Sequence, residues 1–189
     1  MNMFFPSRRH VMETCHRFLF ALRPPQGAVP YLLEEQRRLG PGGAVRGERL
    51  HLTTAISRDY HVYPSLVEKR LLAVGASVVA TCFPIVLDQV AAHGNAVVMR
   101  PSEPLRSCIA FQRRLMRLMI RAGVETRKGW QPHPHVTLLY RYGWQVLRWT
   151  DPLSWLATEF VLIHSHVGMT QHRELGRWPL QIPASPTLH

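Results

Sequence analysis

The sequence predicts an α+β domain with a duplicated core, on three observations. Short β-type apolar runs are mixed with helical periods in no regular β-α-β alternation, which argues against a doubly wound sheet. The pattern His-x-Thr occurs twice, as His51-Leu52-Thr53 and His135-Val136-Thr137, once in each half of the chain and each time in an apolar run. The length of 189 residues, with 46% apolar, suits one domain or one domain of two similar lobes, large enough to bury a real core.

The elements follow in order. "RFLFALRP" (17–24) is an apolar run stopped by Pro24-Pro25, a strand. "VPYLLEEQRRLG" (29–40) reads as a helix, with Pro30 in its first turn and Gly40 just past its end. The glycine-rich "GPGGAVRG" is a loop, and "RLHLTTAI" (49–56) is the second strand. "YPSLVEKRLLAVGASVVA" (63–80) reads as a helix entered through Pro64. "CFPIVLDQV" and "NAVVMR" are short β-like runs around an "HGN" turn. "SEPLRSCIAFQRRLMRLMIRAG" (102–123) is the clearest helix. Leu105, Cys108, Ile109, Gln112, Leu115, Met116 and Met119 recur at three- and four-residue spacing. Arg106, Arg113, Arg114, Arg117 and Arg121 fall mostly on the other side, which reads as a solvated face, and Gly123 closes the helix. "HPHVTLLYRYG" is a strand ending at Gly143, and "EFVLIHSHVG" (159–168) and "RWPLQI" (177–182) are the last strands.

The formal net charge is +11, and of 23 basic residues only Lys69 and Lys128 are lysine. Arginine offers a planar fork of donors that fits phosphate bidentately, so a polyanion such as nucleic acid is one reading. A genome biased toward arginine codons is the other. Cys15, Cys82 and Cys108 are odd in number and irregular in spacing. This argues against a disulfide framework or zinc knuckle and fits a reducing cytosol. No apolar run approaches the ~20 residues that span a membrane. The first 16 residues lack a signal-peptide core and are expected to be an extension, or translation starts at Met12. The expected layout is an extension at 1–16, one domain at 17–183 and a tail at 184–189.

In a strand, residues i and i+2 share a face. His51 and Thr53 therefore point one way, as do His135 and Thr137. If the two strands lie side by side, two imidazoles and two hydroxyls converge. That set suits a phosphodiester. A neutral imidazole can take a proton from water, an imidazolium can protonate the departing oxygen, and the hydroxyls can hold the non-bridging oxygens. No metal or cofactor is needed.

At these residues the sequence resembles the RNA 2',3'-cyclic phosphodiesterases, or 2'-5' RNA ligase family, of the 2H phosphoesterase superfamily. The resemblance runs from about Arg17 to Leu180. It rests on "RFLFALRPP", "RLHLT", "PSEPLR", "PHVTLLY", "EFVLIHSHVG" and "LGRWPL". It implies a bilobal fold with pseudo-twofold-related lobes, antiparallel sheets lining a central cleft and helices outside. It also implies opening of an RNA 2',3'-cyclic phosphate to a 2'-phosphate, with reversible 2'-5' RNA ligation as a side activity. Carried over, His51 is the general acid, His135 the base, and Thr53 and Thr137 the phosphate ligands. Family members commonly have an apolar residue where this chain has Thr54. They often place a basic residue shortly after the second motif, where this chain has Tyr140 and then Arg141. By strict alternation Arg141 shares the face of His135 and makes a candidate phosphate contact.

Arg49 has the parity of His51, and Phe20 could stack on a base, so both are candidate RNA contacts. His133, His135, His164 and His166 raise the question of zinc. Pro132 and Pro134 flank His133, and no carboxylate or cysteine stands at ligand spacing nearby, so no metal site is expected. The expected protein is a cytoplasmic monomer acting on RNA ends without a cofactor. A non-catalytic RNA-binding module, a phosphodiesterase for a small cyclic nucleotide and a metal-dependent hydrolase are the alternatives.

Overall fold

The computed structural model describes residues 15–169 and 171–182. In chain order the elements are β1 (Cys15–Leu22), α1 (Val29–Arg38), β2 (Gly43–Ala44), β3 (Leu52–Ile56), α2 (Ser65–Ser77), β4 (Phe83–His93), β5 (Ala96–Arg100) and α3 (Arg106–Arg121). They continue with β6 (Val136–Tyr140), β7 (Leu147–Ala157), β8 (Glu159–Val167) and β9 (Gln171–Pro179). The strands form an antiparallel sheet in the order β7-β4-β5-β6-β3-β1-β8-β9, with β2 added to β6. The fold is α+β, as the mixed pattern implies.

The order divides into two matching halves. β1-α1-β3 in one corresponds to β5-α3-β6 in the other, and β8-β9 to β4-β7. The halves meet where β3 lies beside β6, through the register pair Leu52↔Val136. The helices cross this seam: α3 packs on β3, and α1 on β6.

Each motif strand carries an irregularity directly after its threonine. Ala55 pairs with Phe20 and Thr53 with Ala21, so Thr54 is an extra residue opposite β1. Leu139 pairs with Val97 and Thr137 with Val98, so Leu138 is the extra residue opposite β5. Such bulges shift side-chain parity by one and leave a carbonyl without a ladder partner. Those carbonyls are met from across the seam. Gln112 of α3 donates from Nε2 to the Thr53 carbonyl at 2.8 Å, and the Leu138 carbonyl, which also takes the Val45 N–H at 3.0 Å, accepts from Gln36 of α1 at 2.5 Å.

The main core fills the space between sheet and helices around Phe18, Phe20, Phe111, Phe160 and Leu115. α2 reaches β9 closely because Gly75 has no side chain; a Cβ there would strike the Trp178 ring, at 2.5 Å from its Cζ2. A smaller cluster of Leu19, Ala21, Ile56, Val161 and Ile163 covers the opposite face of β1 and β8, with Trp130 packed on it. The arginines of α3 are exposed, and Phe111 joins its buried face.

The structure departs from the sequence expectations in three elements. β7 has no counterpart among the expected strands: Pro152 interrupts it, and Leu147, Trp149 and Leu156 are exposed on this edge strand. The ladder admits the proline because it shifts register opposite, between Leu87 and Gln89. The last strand runs Gln171–Pro179 instead of 177–182, since β9 is an edge strand with little alternation. β1 begins at Cys15, so the last two residues of the expected extension are strand. The rest of that extension and the tail at 184–189 lie outside the described residues. The three cysteines are free and buried. No helix among the described residues is long and apolar enough to cross a membrane.

Candidate active site

His51 and His135 each stand one residue before their strand, at the seam where β3 and β6 meet. Backbone geometry orients both rings alike. His51 Nδ1 bonds the Arg49 carbonyl at 2.7 Å, and His135 Nδ1 bonds the His133 carbonyl at 2.7 Å. A carbonyl only accepts, so each Nδ1 carries the proton and Nε2 is the nitrogen left to act on a ligand. His51, Thr53, His135 and Thr137 line one cleft of about 340 Å³. The sheet thus brings both predicted motifs together on one surface.

Burial pushes both histidines down to about 4. The positive charges of Arg23 and Arg49 add to the effect at His51, and His93, His133 and His51 add to it at His135. Without a ligand the pair is neutral at pH 7. An anion placed between them reverses that pressure.

The further candidates divide. Arg49 lines the cleft, and its Nε is buried without a hydrogen-bond partner among the described residues. Arg141 does not face the cleft. Its guanidinium bonds the Leu39 carbonyl at 3.3 Å and lies 4.0 Å over the Trp144 ring. The reason is the bulge at Leu138. Val98 and Ala96 share a face of β5, and their partners are Thr137 and Tyr140, so Tyr140 follows Thr137 into the cleft. Ile56 follows Thr53 in the same way in the other half. Phe20 is also displaced from its expected role. It is fully buried between Phe160, at 5.9 Å between ring centroids, and Trp178, at 6.0 Å, and offers no face to a base. Thr54 points into the core, where its hydroxyl has no partner among the described residues.

Several cleft residues carry no sequence signal. His172 of β9 sets its ring 5.5 Å from His51, edge to face, and its Nε2 lies 3.5 Å from the Arg49 guanidinium. Burial pushes it down to about 3. Its segment lacks the apolar frame that marks the two motifs. Arg17 lines the cleft too, but Asp59 holds its guanidinium through two bonds of 2.5 and 2.6 Å.

Two imidazoles with matched tautomers, two hydroxyls and an arginine in one basic cleft, on a two-lobed antiparallel sheet, define a 2H-type phosphoesterase. The chain belongs to the 2'-5' RNA ligase superfamily, whose family model matches residues 24–168. No curated protein matches it. Among solved structures it is similar to E. coli LigT complexed with 3'-AMP, at 24% identity and a TM-score of 0.74 over 88% of this chain and 98% of that one. It is similar to a protein described as a phosphoesterase, at 26% identity and a TM-score of 0.71 over 88% and 99% of the two chains. TT0787 of Thermus thermophilus shares the fold at 18% identity and a TM-score of 0.68, over 89% and 100%.

Proposed function

We propose that the protein hydrolyses RNA 2',3'-cyclic phosphate ends to 2'-phosphates through the His51–His135 pair, without a metal ion. The matched histidines carry this reading: two Nε2 atoms on one cleft, each fixed by an Nδ1–carbonyl bond of 2.7 Å. The superfamily and the similar phosphoesterase support phosphoester chemistry.

The cyclic phosphate sits between the histidines, with Thr53 and Thr137 donating to its non-bridging oxygens and Arg49 contributing its free Nε–H. His135 Nε2 takes a proton from water as the water oxygen bonds to phosphorus. The bond from phosphorus to O3' breaks, and His51, protonated at Nε2, gives its proton to O3'. The products are a 2'-phosphate and a 3'-hydroxyl. A proton returning from His135 to His51 through solvent resets the pair. Attack by a 5'-hydroxyl in place of water on the same cyclic phosphate forms a 2'-5' linkage.

The test is product analysis on a short RNA ending in a 2',3'-cyclic phosphate, with chelator present. A 2'-phosphate product that disappears in His51→Ala and in His135→Ala supports the reading. RNA retained in a salt-dependent way with no product would point to a binding module. Turnover only of a free cyclic nucleotide would replace the substrate and leave the chemistry.

A further inference from the structure

We propose that His16, His164 and His166 form a binding site for one divalent transition-metal ion of the zinc class, beside the His51–His135 cleft, whose wall His166 shares. His16 of β1 and His166 of β8 are register partners, and His164 pairs with Phe18 in the same ladder. Partners and alternate residues share a face, so three imidazoles converge there. Their ring centroids stand 5.1, 4.6 and 4.7 Å apart. One nitrogen from each lies within 4.8 Å of the other two, and His16 Nδ1 is 2.9 Å from His164 Nε2. Tetrahedral zinc with Zn–N of about 2.0–2.1 Å sets its ligand nitrogens about 3.3 Å apart. Rotation of the half-buried His16 and His166 about the buried His164, on a fixed ladder, reaches that spacing.

The surroundings favour ligation. Phe18 stacks on His164 at 5.1 Å, and Tyr63 stands edge-on to both His16 and His164 at 5.2 Å. These walls hold the buried His164 in place. On the open side His164 and His166 line a depression of about 680 Å³ with Arg46, Glu48, Arg173 and the Arg49 and His172 that also border the His51–His135 cleft. A fourth coordination position opens there to water or an anion, and the arginines favour the anion. Three imidazoles select zinc, copper, nickel or cobalt over magnesium and calcium. The charge that faces His164 is Arg173, whose guanidinium also bonds the Tyr63 hydroxyl at 3.2 Å. The sequence expectation of no metal rests on the prolines flanking His133 and on the lack of a carboxylate or cysteine at ligand spacing, which leaves His164 and His166 without a third ligand. The missing ligand is His16, which only the β1–β8 ladder brings in.

The experiment uses the full chain without a histidine tag, stripped with chelator and titrated with Zn²⁺ alone. The expected result is one ion per chain with a Kd of about 1 µM or tighter at pH 7.5. Zinc at a hundred times that Kd should raise the unfolding midpoint by about 5–10 °C. His166→Ala should weaken binding by roughly a hundredfold, and His51→Ala should leave it unchanged. Because His164 is packed against Phe18, the half-buried His166 is the decisive position, with His166→Gln as the second variant. Co²⁺ gives an independent readout, with tetrahedral visible bands that vanish in His166→Ala. Saturation only above about 100 µM, undiminished binding in both His166 variants, or loss of binding in His135→Ala would each overturn the site. Zinc binding and RNA hydrolysis are read separately, so failure of one leaves the other standing.

Discussion

His51 and His135 are both pushed down to about 4, yet the proposed chemistry needs one of them protonated. At pH 7 a group with a pKa of about 4 is charged in about one molecule in a thousand. The substrate can make up this difference. A phosphodiester carries one negative charge, and a unit charge about 4 Å from an imidazolium is worth about 4 kcal/mol at an effective dielectric of about 20. That is about three pKa units, enough to lift the acid from about 4 to about 7 in the complex. Two profiles should therefore differ. kcat should be bell-shaped, with macroscopic limits of about 4 and about 7. kcat/KM reports the free enzyme, so it should peak at about pH 4–5 and fall nearly tenfold per unit above that. The assay is initial rates on the cyclic-phosphate RNA from acid to alkaline pH, with circular dichroism at each pH to confirm folded protein. Coincident alkaline limbs for kcat and kcat/KM would refute the substrate-driven shift. A rate that rises steadily into alkaline pH would refute the two-histidine mechanism itself.

His51→Ala and His135→Ala should each lose about 10²–10⁴ in turnover with unchanged circular dichroism; a near-wild-type rate in either removes that histidine from the mechanism. Gln112→Leu leaves the Thr53 carbonyl buried without its donor, and should cost about 1–3 kcal/mol in urea unfolding while lowering kcat more than it raises KM. Arg141→Ala should leave KM within about twofold, because its guanidinium is turned to Leu39 and Trp144; a tenfold rise would return it to the cleft. Stability should fall on acidification. Folded pKa values of about 4 for His51 and His135 lie below the unfolded 6.5, so their contribution is complete above pH 6.5 and lost as pH drops toward 4. After allowance for partial exposure, the pair should cost about 2–3 kcal/mol between pH 7 and pH 5, measured by urea midpoints, and His135→Gln should flatten the slope.

The site's centre is legible in the sequence and its edges are not, for identifiable reasons. His-x-Thr sits inside a strand frame, and period-two geometry puts both side chains on one face whatever the fold. α3 is legible because its apolar stripe and arginine face obey one period. Strict alternation misplaces Arg141 because parity does not run straight through Leu138, and that bulge inverts it without a glycine or proline to announce it. Phe20 is misplaced because β1 is a central strand covered on both sides, by Phe18 and Phe20 on one face and Leu19 and Ala21 on the other. Alternation cannot then say which face meets the cleft. β7 is hidden by Pro152 and by exposed apolar residues. His172 and His16 are hidden because their partners lie more than a hundred residues away, His172 at Arg49 and His16 at His164.

The bulges also explain why the site needs both halves. Each inserts a residue immediately after a motif threonine, so the cleft wall continues through Ile56 in one half and Tyr140 in the other. An uncapped buried carbonyl at that point would cost about 1–3 kcal/mol and loosen the threonine beside it. The cap comes from the opposite half in both cases, Gln112 of α3 for Thr53, and Gln36 of α1 with the Val45 N–H for Leu138. One half alone would have a histidine and a threonine but no donor for its bulge. The two lobes therefore brace each other's motif strands. Motion between them would disturb both motifs together, which couples the geometry of His51 to that of His135.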